Sequence, residues 1–332
     1  MRPARRWARA AALAAVAPGA VAAVADATGI GERRLRGMQA APFGLLLSMP
    51  APLAAAAAVV AGWPLVGLAA VPVAAWHLGL VDSPATRTAN ARTGRATSGI
   101  GLRLATINIE RDVPTAAEIV EALLASAADV VVVQELTPTT QPAFGSEPFR
   151  ARYPHRFEAP EDGFFGAGVY SRFPIAGADD RPLGGRHMVV ADLDVGGTPV
   201  TLVSVHTQAP IHPRDIVPWQ SGFTDLGRLA AAAAATDRPI VLAGDWNATT
   251  GNRPFRRLLR DHRLVDAHLA VGRGRACTWP AHRSPLPPLL LLDHVVVGGG
   301  IVVHGVHERP APGSDHLAVV ADLEIPTPNS SE

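Results

Sequence analysis

Pro239-Ile240-Val241-Leu242-Ala243-Gly244-Asp245-Trp246-Asn247 is an apolar, β-branched run that ends in a glycine, a carboxylate and an amide. It reads as a buried strand whose last residues turn at Gly244, where no Cβ obstructs the backbone. Asp245 and Asn247 are two apart, so in extended geometry both side chains point to one side. An acid beside a neutral amide suits phosphate chemistry: the acid orients or deprotonates a water, and the amide holds an oxyanion. A lone Gly-Asp-x-Asn also describes an Asx turn that merely closes a strand. The other strand ends decide between the two.

Outward from this stretch, residues 102–109, 129–134, 168–171, 188–194 and 200–206 read as strands, and Gly196-Gly197 joins the last two as a hairpin turn. Residues 289–297 and 317–323 read as two more. Helices are expected over 115–127, 223–236 and 253–260, from helical spacing of Ala, Ile, Val and Leu and from the Asp112/Pro114 start signal. Many strands, both hairpins and crossovers, and few helices indicate an α/β domain built on two packed sheets.

The strand ends carry an ordered set of polar groups: Asn108, Glu135, His206, Asp245 with Asn247, Asp293 with His294, and Ser314-Asp315-His316. Glu135 follows a wholly apolar run, where an unpaired carboxylate is costly. It calls for a cation, and oxygen donors suit Mg²⁺ or Mn²⁺ better than zinc. Asp293 lies within an apolar strand, and the natural partner of a buried Asp is an imidazole that it orients; His316 is the candidate. His294, the next residue, points to the other face of the strand and reads as structural. The remaining histidines, His268 among them, read as surface or packing residues. Asn108 reads equally well as a turn former.

The segments Thr106-Ile-Asn108, Gln134-Glu135, Ser171-Arg172-Phe-Pro174, His206-Thr-Gln-Ala-Pro210, Gly244-Asp-Trp-Asn247, Leu292-Asp293-His294 and Ser314-Asp-His316 occur in the order of the endonuclease/exonuclease/phosphatase superfamily. Residues 100–325 resemble that group, which includes pancreatic-type deoxyribonucleases, abasic-site endonucleases, neutral sphingomyelinases and inositol-polyphosphate phosphatases. The resemblance implies a four-layer sandwich, two facing β-sheets with helices outside, and metal-assisted hydrolysis of a phosphoester by in-line attack of water. By motif, Glu135 resembles the principal metal ligand, with Asn108 beside it. Asp245 and Asn247 resemble the pair that positions water and phosphate. His316, oriented by Asp293, resembles the catalytic base, and Asp315 a further metal-side or structural carboxylate. His206 stands where related enzymes place a histidine that contacts phosphate or protonates the leaving group. Whether Asp245 or His316 takes the proton from water is left open by the sequence. Cys277-Thr-Trp279-Pro280 resembles a substrate-side loop in which Trp279 forms a wall or packs. The long basic or aromatic insertion with which abasic-site endonucleases grip a kinked duplex is missing. Arg253, Arg256, Arg257 and Arg260 share one helix face, as a solvated surface or a nucleic-acid contact.

The 332-residue chain suffices for one large domain and an appendage. Its single cysteine, Cys277, excludes an intrachain disulfide and a thiolate metal cluster. Every one of its 30 basic residues is an arginine. Residues 1–99 carry ten arginines against three acids, so residues 100–332 hold the other twenty against twenty-six and balance at −6. A net-acidic catalytic half argues against a grip on long nucleic acid through its backbone.

Three apolar stretches, 10–29, 41–61 and 63–81, each approach the ~20 residues of a bilayer-crossing helix. The expectation is a membrane anchor over 1–81 with about three transmembrane helices, and Trp63 and Trp76 near their ends. The first stretch also resembles a signal-peptide core, and the whole could instead pack as a buried helical hairpin. Residues 82–99, small and polar, read as a flexible linker, followed by the catalytic domain over 100–326 and a tail over 327–332. The resemblance extends to anchored bacterial relatives and places a multi-pass protein in the cell membrane with its domain outside. The expected function is therefore a membrane-tethered, divalent-metal-dependent phosphoester hydrolase of the phosphodiesterase or nuclease type. Its substrate is a nucleic acid, a lipid head group or a small diester, and no protein partner is evident. The alternative is a catalytically inactive, tethered module that binds a phosphate ligand.

Overall fold

A computed structural model describes residues 3–28, 39, 48–77, 99–281 and 287–327. Twelve strands make up two six-stranded sheets. They are β1 (Ile100–Asn108), β2 (Val130–Gln134), β3 (His155–Ala159), β4 (Ala167–Ser171), β5 (Ile175–Leu183), β6 (Arg186–Val195), β7 (Thr198–His206), β8 (Ile240–Asp245), β9 (Val265–Asp266), β10 (Asp293–Gly298), β11 (Val302–Arg309) and β12 (Ala318–Ile325). The first sheet runs β11-β12-β1-β2-β4-β3 and the second β5-β6-β7-β8-β10-β9. Each has one parallel pair, β1–β2 and β7–β8, and is otherwise antiparallel. The two parallel pairs are each joined by a crossover that contains a helix, Ala116–Ala125 and Ile216–Ala235 respectively.

The layering follows from side-chain alternation. Val130 and Val132 of β2 face the other sheet, with Leu102 and Leu104 of β1, Val241 and Ala243 of β8, and Val295 and Val297 of β10. The intervening residues face outward. Val131 and Val133 pack under Ala116–Ala125, and Leu242 and Val296 pack under Ile216–Ala235 and Arg253–Asp261. Central strands buried on both faces read as unbroken apolar runs. Helix, sheet, sheet, helix is thus the observed order, as the resemblance implied.

One strand begins later than expected. Residues 289–292 are irregular, touching Trp279 through a single bridge at Leu290, and β10 starts at Asp293 itself. Gly244 also differs in role. It lies inside β8 with φ +149°, and a Cβ there would sit 1.9 Å from the Val205 carbonyl oxygen. It permits close approach of β7, and the turn comes after it.

Parts of the three stretches expected to cross a membrane, residues 29, 41–47 and 78–81, lie outside the described residues. Among the described residues no helix is long and apolar enough to cross a membrane. Pro3–Thr28 has the length, but its arginines and many alanines lower its apolarity. Pro50–Ala61 and Pro64–His77 have 12 and 14 residues. At 1.5 Å per residue they reach about 18 and 21 Å, against a bilayer core of roughly 30 Å. Gly62 ends the first of them in the left-handed conformation, with its N–H and that of Trp63 returning to the Ala58 carbonyl. The three helices instead pack on one another through Val16, Ala51, Ala54, Ala58, Val66, Ala70 and Val73. Most of the expected linker and tail lies outside the described residues.

Candidate active site

Asn108, Gln134, His206, Asp245 and Asp293 continue the alternation of the inter-sheet core residues in their strands, so all five side chains enter the layer between the sheets at one end. Register brings them level. Asn108 pairs with Gln134 across β1–β2, while His206 and Asp293 both pair with Asp245, from β7 and β10. The apolar filling stops at this row, and polar groups from both sheets meet.

Asp245 is the hub. Its Oδ2 accepts Asn108 Nδ2 at 3.1 Å and Asn247 Nδ2 at 3.4 Å, while Oδ1 accepts the Asn247 backbone N–H at 2.9 Å. The Nε2 atoms of His206 and His316 each lie 3.7 Å from the same Oδ2. Asn108 Nδ2 also donates to Glu135 Oε1 at 3.0 Å, so one amide bridges carboxylates from the two sheets. Its own oxygen accepts the Glu110 N–H. The second Glu135 oxygen accepts the Arg111 N–H at 2.9 Å. His206 Nε2 is 3.9 Å from Glu135, and His316 Nε2 is 3.8 Å from Asp315 Oδ1. Spacings of 3.7–3.9 Å are too long for direct hydrogen bonds. They suit groups that share a small ligand among them.

The pairing of Asp293 with His316 is as the sequence suggested, at 2.8 Å between Oδ2 and Nδ1, and both side chains are buried. Asp293 fixes the ring so that Nε2 faces Asp245 and Asp315. Burial opposes a charge on His316, but Asp293, Asp245 and Asp315 outweigh it and push its pKa up to about 10. Two buried atoms here have no partner, Asp293 Oδ1 and His206 Nδ1.

All eight expected residues therefore meet in one place. Asn247 gets there by an unexpected route. It lies in a turn with φ +44°, and Glu135 likewise takes φ +61° just past the end of β2. Left-handed backbone is uncommon for such residues and concentrates at functional sites. Trp246 drops into the outer core between them.

Several supporting contacts carried no signal in the sequence. Ser314 Oγ donates to the Asn108 carbonyl at 2.7 Å and accepts the His316 N–H at 3.0 Å, tying the loop before β12 to β1. Thr278 Oγ1 accepts the N–H of Leu292 and of Asp293. Trp279 Nε1 donates to Asp315 Oδ2 at 2.9 Å, which gives that ring a positioning task. At the rim, the Arg111 guanidinium lies 4.3 Å from the ring of Phe164, and that of Arg186 lies 4.4 Å from Phe165. Phe165 itself packs against His206 with ring centroids 5.2 Å apart. Of the arginine-bearing helix, Arg256 donates to the Thr250 carbonyl and Arg260 pairs with Asp261.

The donor set fits a hard divalent cation. Atoms of Asp245, Asp293 and His316 lie within 4.8 Å of one another, and Asn108 Nδ2 holds carboxylate oxygens of Glu135 and Asp245 at 3.0 Å and 3.1 Å.

Residues 105–316 match the Endonuclease/Exonuclease/phosphatase family. No curated protein shows significant sequence similarity to the chain. Among solved structures, an endonuclease/exonuclease/phosphatase from Beutenbergia cavernae DSM 12333 is 21% identical, covers 68% of this chain and 72% of its own, and superposes with a TM-score of 0.51. The human Nocturnin catalytic domain with bound sulfate anion is 17% identical, with coverage of 69% and 96% and a TM-score of 0.53. D. rerio TDP2 complexed with single strand DNA product is 14% identical, with coverage of 67% and 98% and a TM-score of 0.50. At these identities the likeness is one of fold.

Proposed function

Because the chain belongs to the endonuclease/exonuclease/phosphatase family, we propose that it hydrolyses phosphoester bonds with the aid of Mg²⁺ or Mn²⁺, as a phosphodiesterase or nuclease. The observation that carries this reading is the bridge from Asn108 to both Glu135 and Asp245, flanked by two histidines aimed at the same carboxylate. Glu135 and Asp315 would hold the ion, and Asn108 bridges Glu135 to Asp245 on that side. A bound ion would supply Lewis-acid polarisation of a phosphoryl oxygen. Asp245, held by Asn247, orients the attacking water, while His316, fixed by Asp293, faces the same point and shares its proton traffic. His206 contacts the phosphate or protonates the leaving oxygen.

The rim narrows the substrate class. The Arg186 guanidinium rests on Phe165, which packs against His206, and that of Arg111 rests on Phe164, which is 49% exposed. Cations with open aromatic faces suit a phosphodiester whose neighbour can stack, as in single-stranded nucleic acid. D. rerio TDP2 has been solved with single strand DNA product. The −6 balance of residues 100–332 counts against long duplexes.

The described N-terminal helices support membrane attachment. Of the fifteen exposed large apolar side chains among the described residues, eleven lie within residues 7–71, including Leu53, Val60, Leu65 and Leu68. Their mutual contacts are made largely by alanine. Small residues inside and large apolar ones outside are how helices pack in lipid. We place the domain on the outer side of the cell membrane, following its resemblance to anchored relatives.

The test uses the purified protein with and without Mg²⁺ on plasmid DNA, a single-stranded oligonucleotide, sphingomyelin and a chromogenic bis-phosphodiester. Glu135→Gln and His316→Ala should each abolish metal-dependent turnover while the far-ultraviolet circular dichroism stays unchanged. Turnover retained in both variants would end the reading. A folded wild type inert on all four substrates would favour the binding module.

A further inference from the structure

Behind the active-site strand lies a second cluster that the mechanism does not use. Asp293 and His294 are consecutive on β10 and face opposite ways. His294 enters the outer side, where Asp266 at the end of β9 and His268 in the short helix Ala267–Ala270 meet it. One donor atom from each of the three lies within 4.8 Å of the others. Asp266 and His294 are paired at 2.7 Å, and all three side chains are at most 1% exposed. Burial disfavours charge on the pair, yet their mutual attraction wins, holding Asp266 below and His294 above their ordinary pKa values.

The outer nitrogens define the tautomers. His294 Nε2 lies 3.0 Å and 3.1 Å from the carbonyl oxygens of Ala248 and Leu291, so it carries a hydrogen. His268 Nε2 lies 3.0 Å from Glu308 Oε1, and Arg273 in turn holds Glu308 from the other side. That leaves His268 Nδ1, fully buried and without a hydrogen-bond partner. A buried nitrogen lone pair with no donor is costly. Both imidazoles give Nε2–H to a carbonyl or carboxylate, as metal-bound histidines do from behind. Of their Nδ1 atoms, that of His268 is open, while that of His294 shares with Asp266 a proton that a metal ion would displace.

We propose that Asp266, His268 and His294 form a metal site for a borderline transition ion, Zn²⁺ by its two-nitrogen, one-oxygen donor set, distinct from the catalytic centre. Zn²⁺ takes imidazole and carboxylate ligands in small tetrahedral sites, whereas Mg²⁺ prefers oxygen and keeps its water. The site ties β9, β10 and the helix after β9 together at the back of the strand whose front carries Asp293. Its role is structural: the ion would enter as the domain folds and resist loss thereafter.

The test strips the full chain with chelator, adds Zn²⁺ against a chromophoric competitor, and follows thermal unfolding. The wild type should bind one more Zn²⁺ per chain than His268→Gln, and Zn²⁺ should raise its Tm but not that of the variant. Co²⁺ should give a visible d–d band in the wild type that His268→Gln loses. Glu308→Gln, which keeps all three ligands, should weaken Zn²⁺ binding about 10–100-fold, and it serves as the deciding variant if His268→Gln does not fold. Equal Zn²⁺ stoichiometry and affinity in the wild type and these variants would overturn the proposal.

Discussion

Asp293 touches no position a substrate could reach, yet the site depends on it. It is buried, accepts from one nitrogen of His316, and has a second oxygen without a partner. Replacement by Asn keeps the shape and removes the charge that aligns the ring. Asp293→Asn is therefore expected to lower kcat roughly 10²–10⁴-fold, the range of a lost acid–base group, while KM changes little. A KM effect with kcat intact would assign Asp293 to packing instead. At this scale the sequence was legible wherever a polar residue ended an apolar run, because burying an unpaired polar group demands a reason. That logic found Glu135, Asp245 and Asp293 directly. It did not foresee the contacts of Ser314, Thr278 and Trp279, whose residue types are common in loops and whose partners lie far away in sequence. It also left His268 among the packing residues, since nothing near it in sequence marks its pairing with Glu308.

The strands divide along the same physical line. Every central strand was foreseen, and all four sheet edges, β3, β5, β9 and β11, were missed. An edge strand has one unpaired side and tolerates polar residues, glycine and proline. β5 reads Ile-Ala-Gly-Ala-Asp-Asp-Arg-Pro-Leu, and β11 bulges between Val303 and Gly305. Neither offers a clean alternation. The close contact of β7 with β8 supplies a stability test. Gly244→Ala would drive a Cβ to 1.9 Å from the Val205 carbonyl oxygen, at a φ that L residues avoid. The expected loss is about 3 kcal/mol or more, measured by chemical denaturation. A loss below 1 kcal/mol, on the order of an ordinary surface change, would show that the two strands can part without damage.

Across the molecule, the apolar clusters fall into two sets that share no residue. One, built from residues 16–74, holds the N-terminal helices together, and three others, built from residues 102–325, fill the sandwich. A chain starting at residue 99 should consequently keep the circular dichroism, melting transition and turnover of the domain. The full chain should float with lipid vesicles and the shortened one should not. Loss of folding on removal of residues 1–98 would show that the two sets depend on each other. The apolar texture of this region was legible in the sequence; the alanine contacts by which its described helices pack on one another, with Gly62 ending one of them, were not.

The sandwich also has an unusual chain order. The second sheet uses only β5 to β10, whereas the first is begun by β1 to β4 and completed by β11 and β12. β12 lies between β11 and β1, with Ile325 opposite Ile100, and Gly99 donates to Glu324 across 225 residues of sequence. A ribosome making this protein would release β1 long before β12, the partner on one of its edges, exists. For most of translation the first strand waits with one edge open, while the second sheet can close by itself. The first sheet is then finished only after β12 has left the exit tunnel, which puts the joining of Asp315 and His316 to the rest of the site after all the other strands have been made.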